Sequence, residues 1–179
     1  DMSPRGGVIE ALTSLITPLH FKPASPTCRA VQYNTPRRGI APLADVYIPS
    51  GKPPYPAVLL VHGGGFVLGT RSQKPMRYLA TRFAEAGIAT MSIDYRLIFQ
   101  GGRLNEAVSD VVAAFTHLEQ NHERYGIDRS RISIVGLSAG AALTVVASAR
   151  MPQQKLHRVV GVFGLYAFAS IHRRRASFL

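Results

Sequence analysis

Residues 132–149 read ISIVGLSAGAALTVVASA, and this stretch decides the fold. The apolar run at 132–135 has the length of a buried strand, and the run after GLSAG is rich in helix-forming residues. GLSAG itself, at 136–140, is a G-x-S-x-G pattern. A serine on a strained strand-to-helix turn stands clear of the sheet, and the flanking glycines leave room for neighbouring backbone. The pattern therefore predicts an exposed, reactive Ser138 in front of a helix N-terminus, whose N–H groups favour developing negative charge.

The central part of the chain alternates apolar runs with segments of helical spacing. The apolar runs are 57–61, 89–93, 132–135 and 159–163, and the helical segments are 76–84, 108–118 and 141–149. Near-continuous apolar runs of this length are typical of strands buried on both faces. Ser72 is a candidate N-cap for the first helical segment. The alternation predicts right-handed crossovers and a parallel α/β sheet.

The N-terminal part has a different character. The apolar residues between 5 and 20 fall on one stripe, which predicts an amphipathic helix that ends before Pro23. Two short runs rich in strand-forming residues follow at 29–34 and 43–48, separated by Pro36, Gly39 and Pro42. These runs predict an antiparallel pair at an edge of the sheet.

Composition excludes several classes of protein. The chain has 179 residues, 46% of them hydrophobic, which is enough for the core of one globular domain. No apolar run approaches the roughly 18 residues needed to cross a bilayer, and the single cysteine, Cys28, cannot form an internal disulfide. The net charge of +11 forms a cluster only at Arg173-Arg174-Arg175. Because no recognition-helix, zinc-finger or aromatic RNA-binding pattern accompanies this cluster, a nucleic-acid partner rests on charge alone.

The N-terminus shows no targeting signal. Its first apolar stretch, 8–19, is broken by polar residues and Pro18, unlike the continuous core of a secretory signal. We therefore predict a cytoplasmic location. Asp1 stands before Met2, so the alternative that a leader has been trimmed from the chain stays open.

A second motif, HGGGF at 62–66, directly follows the apolar run 57–61. Three successive glycines let backbone N–H groups converge on one point, and such a nest binds an oxyanion. The alternatives are a phosphate-binding loop and a flexible turn. The Walker pattern and a G-x-G-x-x-G that opens a helix are both missing, so we expect no nucleotide cofactor. A single cysteine cannot build a metal cluster on thiols, and we expect no metal.

Three motifs together resemble one protein family. HGGGF at 62–66, Asp94-Tyr95-Arg96-Leu97 and GLSAG at 136–140, in this order and spacing, are similar to the hormone-sensitive-lipase-like branch of the α/β-hydrolase superfamily, which is rich in carboxylesterases. The resemblance covers about residues 40–165. It implies a mostly parallel α/β-hydrolase sheet with helices on both faces, incomplete at the C-terminal edge. Residues 1–27 would be an N-terminal cap helix region, and 28–179 the N-terminal portion of the hydrolase domain.

The resemblance also implies roles for single residues. Ser138 would be the nucleophile, and the backbone N–H groups of Gly64, Gly65 and Ala139 would form the oxyanion hole. Structural support would come from His62, Gly63, Gly136 and Gly140. We expect His62 to hold the glycine loop by a hydrogen bond, and Asp94, Tyr95 and Arg96 to be buried polar residues that tie the loop after their strand. Asp110 and Asp128 are expected to be helix-face or capping residues.

The rest of a catalytic triad is missing from the chain. In this superfamily the order is Ser, then Asp or Glu, then His, but no carboxylate follows Ser138, and His157 and His172 merely flank the last strand. Because a serine without a base is a poor nucleophile, we expect the acid and histidine to come from a segment absent from this chain, with a small acyl ester as substrate. The chain alone would be nearly inactive.

Two further expectations stay open. One is a catalytically inactive pseudo-hydrolase that acts as a binding or interaction module. The other concerns partners: the apolar edge left by the last strand would pair with a second polypeptide that completes the sheet, or with another copy in a homo-oligomer.

Overall fold

The computed structural model describes residues 21–36, 41–100, 102–151 and 156–164. Its strands are β1 (Cys28–Gln32), β2 (Leu43–Tyr47), β3 (Tyr55–Val61), β4 (Ala89–Ile93), β5 (Ile127–Leu137) and β6 (Arg158–Val162). Its helices are α1 (Lys74–Glu85), α2 (Leu104–Gln120), α3 (His122–Tyr125) and α4 (Ala139–Ser148), with a 3₁₀ turn at Ile98–Gln100. The predicted helix at 5–20 lies outside the described residues.

The six strands form one mixed sheet in the order β1-β2-β4-β3-β5-β6. The β1–β2 and β2–β4 pairs are antiparallel, whereas β4, β3, β5 and β6 run parallel. This confirms the predicted antiparallel pair at one edge and the predicted parallel centre. In a parallel sheet all carboxyl ends lie at one edge, so the loops after β3, β4 and β5 meet there.

Side chains of the central strands alternate between two apolar layers. Leu59 and Val61 of β3 face the layer that holds Val111 and Phe115 of α2, together with Leu143 of α4. Val58 and Leu60, on the opposite face of β3, pack in a second layer with Met76 and Ala80 of α1. Helices therefore cover both faces of the sheet, as the resemblance implies.

The start of α1 differs by one residue from the prediction. The N-cap is Gln73, which makes no side-chain capping bond. Ser72, the predicted cap, instead lies 3.0 Å from the hydroxyl of Thr70 through its own Oγ. Pro75 fixes the first turn of the helix without needing a capping side chain there, because its ring supplies the helical φ angle.

The prediction that 159–163 is buried on both faces was wrong. Strand β6 pairs with β5 and is the outermost strand among the described residues. Val159 and Val160 are 38% and 44% exposed. An apolar run predicts that both faces of a strand are covered by other residues. The described part of the chain does not fully cover the faces of β6.

Among the described residues, no helix has the length and apolar character needed to cross a membrane.

Candidate active site

Ser138 occupies the turn between β5 and α4. Its backbone angles, φ 52° and ψ −117°, lie outside the regions that non-glycine residues ordinarily adopt. The turn is held on both sides: the N–H of Ser138 donates to the carbonyl of Val162 at 2.8 Å, and its own carbonyl accepts from the N–H of Ala141 at 2.9 Å. Such strain, of order 1–3 kcal/mol, persists only where surrounding contacts, such as these two hydrogen bonds, hold the backbone in place. The predicted strand–serine–helix arrangement is therefore present.

The glycines on either side of Ser138 allow the backbone to pack closely. A Cβ on Gly136 would overlap the carbonyl of Gly140 and the hydroxyl of Thr144, and a Cβ on Gly140 would overlap the carbonyls of Val61 and His62. The first turn of α4 therefore rests directly on the end of β3. Neither position has room for a side chain.

The glycine loop after β3 lies against the serine turn. A Cβ on Gly63 would stand 3.1 Å from the Cβ of Ser138 and 2.9 Å from the carbonyl oxygen of Leu137. Gly64 and Gly65 have positive φ values of 125° and 62°, which bend the backbone in a way that favours glycine. The structure thus brings together HGGG and GLSAG, which are more than 60 residues apart in sequence.

His62 is completely buried beneath this loop. Its Nδ1 lies 2.7 Å from the carbonyl oxygen of Gly63, so Nδ1 carries the proton and donates it. Nε2 is buried and has no hydrogen-bond partner among the described residues. Burial lowers the pKa of His62, while the Gly63 bond and the charge of Asp94 oppose that shift. The imidazole is therefore neutral at pH 7 and supports the loop through Gly63.

Arg71, at the end of the loop, binds two carboxylates, and the sequence did not predict these contacts. Its Nε lies 3.0 Å from Asp45 Oδ1, its backbone N–H donates to Asp94 Oδ1 at 2.6 Å, and its guanidinium also pairs with Asp94 Oδ2. Asp45 lies in β2, and Asp94 directly follows β4. The predicted tie at Asp94 is present, and Arg71 is the residue that joins it to the glycine loop. The available signal was a single arginine after an otherwise uncharged loop, which is weak.

Asp110 was expected on the polar side of a helix; it does lie on α2, but the expectation of a polar, solvent-facing position was wrong. The residue is 0% exposed. Arg96 binds it through Nε at 2.8 Å, through Nη2 at 2.8 Å and through its backbone N–H at 3.0 Å. Because Ala107 and Ala114 lie three and four residues away on the same side of α2, Asp110 borders the apolar stripe, and this position was the signal available. Asp128 lies in β5 and not at a helix; its Oδ1 accepts a hydrogen bond from the backbone N–H of Ser130 at 2.9 Å.

Comparison with known proteins matches this geometry. The BD-FAE family model matches residues 44–172, well over half of the chain. The chain belongs to the BD-FAE family. It is 36% identical to Gut esterase 1 of Caenorhabditis elegans over 96 residues, which are 49% of this chain and 17% of that protein. The resemblance to hormone-sensitive-lipase-like carboxylesterases and the α/β-hydrolase fold are thereby confirmed.

Solved structures agree with the family. A bacterial heroin esterase superposes with a TM-score of 0.64 at 28% identity, covering 86% of this chain and 48% of the esterase. A hyperthermophilic esterase from the archaeon Pyrobaculum calidifontis superposes with a TM-score of 0.66 at 26% identity, covering 90% of this chain and 49% of that esterase. This BD-FAE chain therefore spans about half the length of these solved esterases and about a sixth of Gut esterase 1.

The described histidines do not form a triad with Ser138. His157 precedes β6 and its N–H donates to the carbonyl of Ile132, so it lies at the amino end of the parallel strands, opposite Ser138. His117 contacts the Tyr125 hydroxyl, and His122 contacts the carbonyl of Glu119. His172 lies outside the described residues. Within the described ranges of this BD-FAE chain, no group of three or more His, Cys, Asp or Glu residues could hold a metal ion.

Proposed function

We propose that this BD-FAE chain supplies the nucleophile and the oxyanion hole of a carboxylic-ester hydrolase. The observation that carries the proposal is the strained turn at Ser138, with φ 52°, packed against Gly63 of the glycine loop. A strained strand-to-helix turn holds a serine Oγ at the carboxyl edge of a parallel sheet, where an ester can reach it. The esterase names of the relatives agree with this chemistry.

The residues divide the reaction in the following way. Ser138 Oγ attacks the ester carbonyl carbon, and the Oγ proton passes to a histidine base. The carbonyl oxygen becomes an oxyanion, which the backbone N–H groups of Gly64, Gly65 and Ala139 bind, with help from the N-terminus of α4. The alcohol leaves with the proton, and water then releases the acid from the acyl-serine. His62, Gly63, Gly136 and Gly140 keep the two halves of the site in place.

The base and its acid would come from polypeptide that pairs with β6. Two observations support this placement. The first is the exposure of Val159 and Val160 on the outermost described strand. The second is an apolar groove of about 580 Å³ on the α1 face, lined by Leu79 and Phe83 of α1, Val135 and Leu137 of β5, and Val160 and Val162 of β6. Two strands are about 10 Å wide, which matches the diameter of one helix.

We propose, accordingly, that the completing segment adds a strand beside β6 and lays a helix in this groove. The solved esterases, of which this chain covers 48% and 49%, have the additional length that such elements need. The added strand would continue the carboxyl edge at which Ser138 stands. A histidine and a carboxylate on loops at that edge would then reach the nucleophile.

A fluorophosphonate tests this function, because it phosphonylates a serine only when a base activates it. We expect the protein from its native source to be labelled on the tryptic peptide that contains Ser138, in a species heavier than 19.4 kDa or bound to a second polypeptide. The isolated 179-residue chain should be labelled no faster than its Ser138→Ala variant. Failure to label Ser138 in the native-source protein would favour the inactive binding module instead.

A further inference from the structure

We propose that Tyr95 is the positioning residue of the glycine loop, holding Gly63 at its distance from Ser138 through His62. This inference rests on the proposed function, since it assigns the support of the same oxyanion hole. Tyr95 lies directly after β4 and is 3% exposed. It contacts His62 in two ways, one through the ring and one through the hydroxyl.

The hydroxyl contact fixes the backbone of His62. Tyr95 Oη donates to the carbonyl oxygen of His62 at 3.0 Å. Burial raises the pKa of Tyr95, so the hydroxyl keeps the proton that it donates. The same carbonyl faces α4, because a Cβ on Gly140 would overlap it. Tyr95 therefore binds the point where the glycine loop and the serine turn touch.

The ring contact fixes the side chain of His62. The two rings are stacked, with centroids 4.3 Å apart and planes 18° from parallel. Apart from this stack, the imidazole makes one hydrogen bond, from Nδ1 to the carbonyl of Gly63, and Nε2 has no partner among the described residues. The ring turns only about its side-chain torsions, so the hydrogen bond at Nδ1 and the Tyr95 ring against one face together hold its orientation.

The loop is closed around this imidazole. A Cβ on Gly69, at the return of the loop, would stand 2.5 Å from His62 Nδ1. Within the loop, the N–H groups of Val67 and Leu68 both donate to the carbonyl of Gly64, at 3.2 and 3.1 Å. A change in the His62 ring therefore displaces both ends of the loop, and with it Gly63 beside Ser138.

Tyr95 is itself firmly anchored. The N–H of Asp94, on one side, donates to the carbonyl of Leu43 at 2.8 Å. The N–H of Arg96, on the other side, donates to the buried Asp110 at 3.0 Å. The backbone on both sides of Tyr95 is therefore held by hydrogen bonds, so the ring can serve as a rigid support.

Hydrogen exchange on the 179-residue chain tests the proposal, with Tyr95→Phe as the variant. Tyr55→Phe is a matched control, because Tyr55 is also buried and its hydroxyl donates to a backbone carbonyl, that of Gly51 at 2.7 Å. We expect Tyr95→Phe to speed exchange of the Val67 and Leu68 amides by about tenfold, the factor that one net hydrogen bond represents. Tyr55→Phe should leave these two amides unchanged. Tyr95→Leu, which also loses the stack, should speed them further.

The outcomes separate a positioning role from a structural one. A Tyr95 that only stabilises the fold would speed exchange in all protected segments equally, as measured on peptides from β3 and β5. That result, or unchanged loop amides in Tyr95→Phe, would overturn the proposal. Because the exchange does not depend on catalysis, loss of loop protection combined with an unlabelled Ser138 in the native-source protein would uphold the positioning role and reject the esterase function.

Discussion

The backbone N–H of Ser138 donates to the carbonyl oxygen of Val162 at 2.8 Å, which joins the serine turn to the outermost strand of the described sheet. The bond continues the β5–β6 register, in which Leu137 is paired with Val162. Strand β6 therefore shapes the site as well as the edge. Anything that pairs with β6 stands one strand away from the proposed nucleophile, and the edge and the site should respond to perturbation together.

The first prediction concerns this edge. Val160→Lys should reduce self-association of the isolated chain, because a lysine on an edge strand hinders pairing with another strand. Sedimentation velocity over a range of concentrations measures the effect. Val145→Lys is the control, since Val145 is 43% exposed on α4 and Val160 is 44% exposed on β6. Equal effects of the two lysines would show that net charge, rather than the edge, governs association.

A second prediction concerns Gly140. Gly140→Ala should lower the free energy of unfolding by about 2 kcal/mol, because its Cβ would overlap the carbonyls of Val61 and His62 and the backbone must move apart. Gly87→Ala is the comparison: no atom lies within 4 Å of its Cβ, but its φ is +78°. The strain of that angle alone costs about 1 kcal/mol. Urea unfolding of both variants would contradict the packing argument if Gly140→Ala were the milder change.

The sequence predicted the centre of the sheet well, for a physical reason. Strands such as β3 and β4 are buried on both faces, so most of their residues are apolar, and an apolar run indicates a central position in the sheet. The same signal failed at β6, because an apolar run does not reveal whether another segment covers it. The serine turn was predictable since GLSAG combines a steric need for glycine with a fixed strand and helix context.

Contacts between distant segments were not predictable in the same way. Asp110 lies on α2 and its partner Arg96 follows β4, 14 residues earlier, so the pair depends on how the helix packs. The Arg71 contact with Asp45 spans 26 residues and two strands. Neither pair has a spacing that a helix or a hairpin imposes. Local patterns therefore predicted the candidate site, whereas the ion pairs and the His62–Tyr95 stack beside it became visible only with the fold.

The third prediction concerns the buried ion pair. Asp110→Ala should lower the free energy of unfolding by about 3 kcal/mol or more, because it leaves the Arg96 guanidinium, 8% exposed, without its principal partner. Glu85→Ala is the contrast, since the Arg82–Glu85 pair is 61% and 55% exposed. Exposed pairs contribute about 0.5 kcal/mol. Chemical denaturation of the two variants would reject the argument if their losses were similar.

The last prediction concerns pH and follows from the buried, neutral His62. In the unfolded chain its pKa is near 6.5, whereas burial holds the folded pKa lower. As pH falls below 6.5, the unfolded state binds a proton that the folded state does not, so stability falls until the pH reaches the folded pKa. Between pH 7.5 and 5.5 this group should therefore lower the free energy of unfolding as the pH falls, by no more than about 1.4 kcal/mol per pH unit.

Urea unfolding at both pH values checks the prediction, and His62→Gln should lose this part of the pH dependence. Burial also lowers the pKa of His117, so the same measurement on His117→Gln separates the two histidines. If His62→Gln does not fold, an NMR titration of the His62 Cε1–H resonance replaces it, and we expect the folded ring to protonate at a lower pH than a free imidazole, because burial lowers its pKa. A ring that protonates near pH 6.5 in the folded chain would mean that water reaches His62. This result would contradict the description of a glycine loop that closes tightly around the ring.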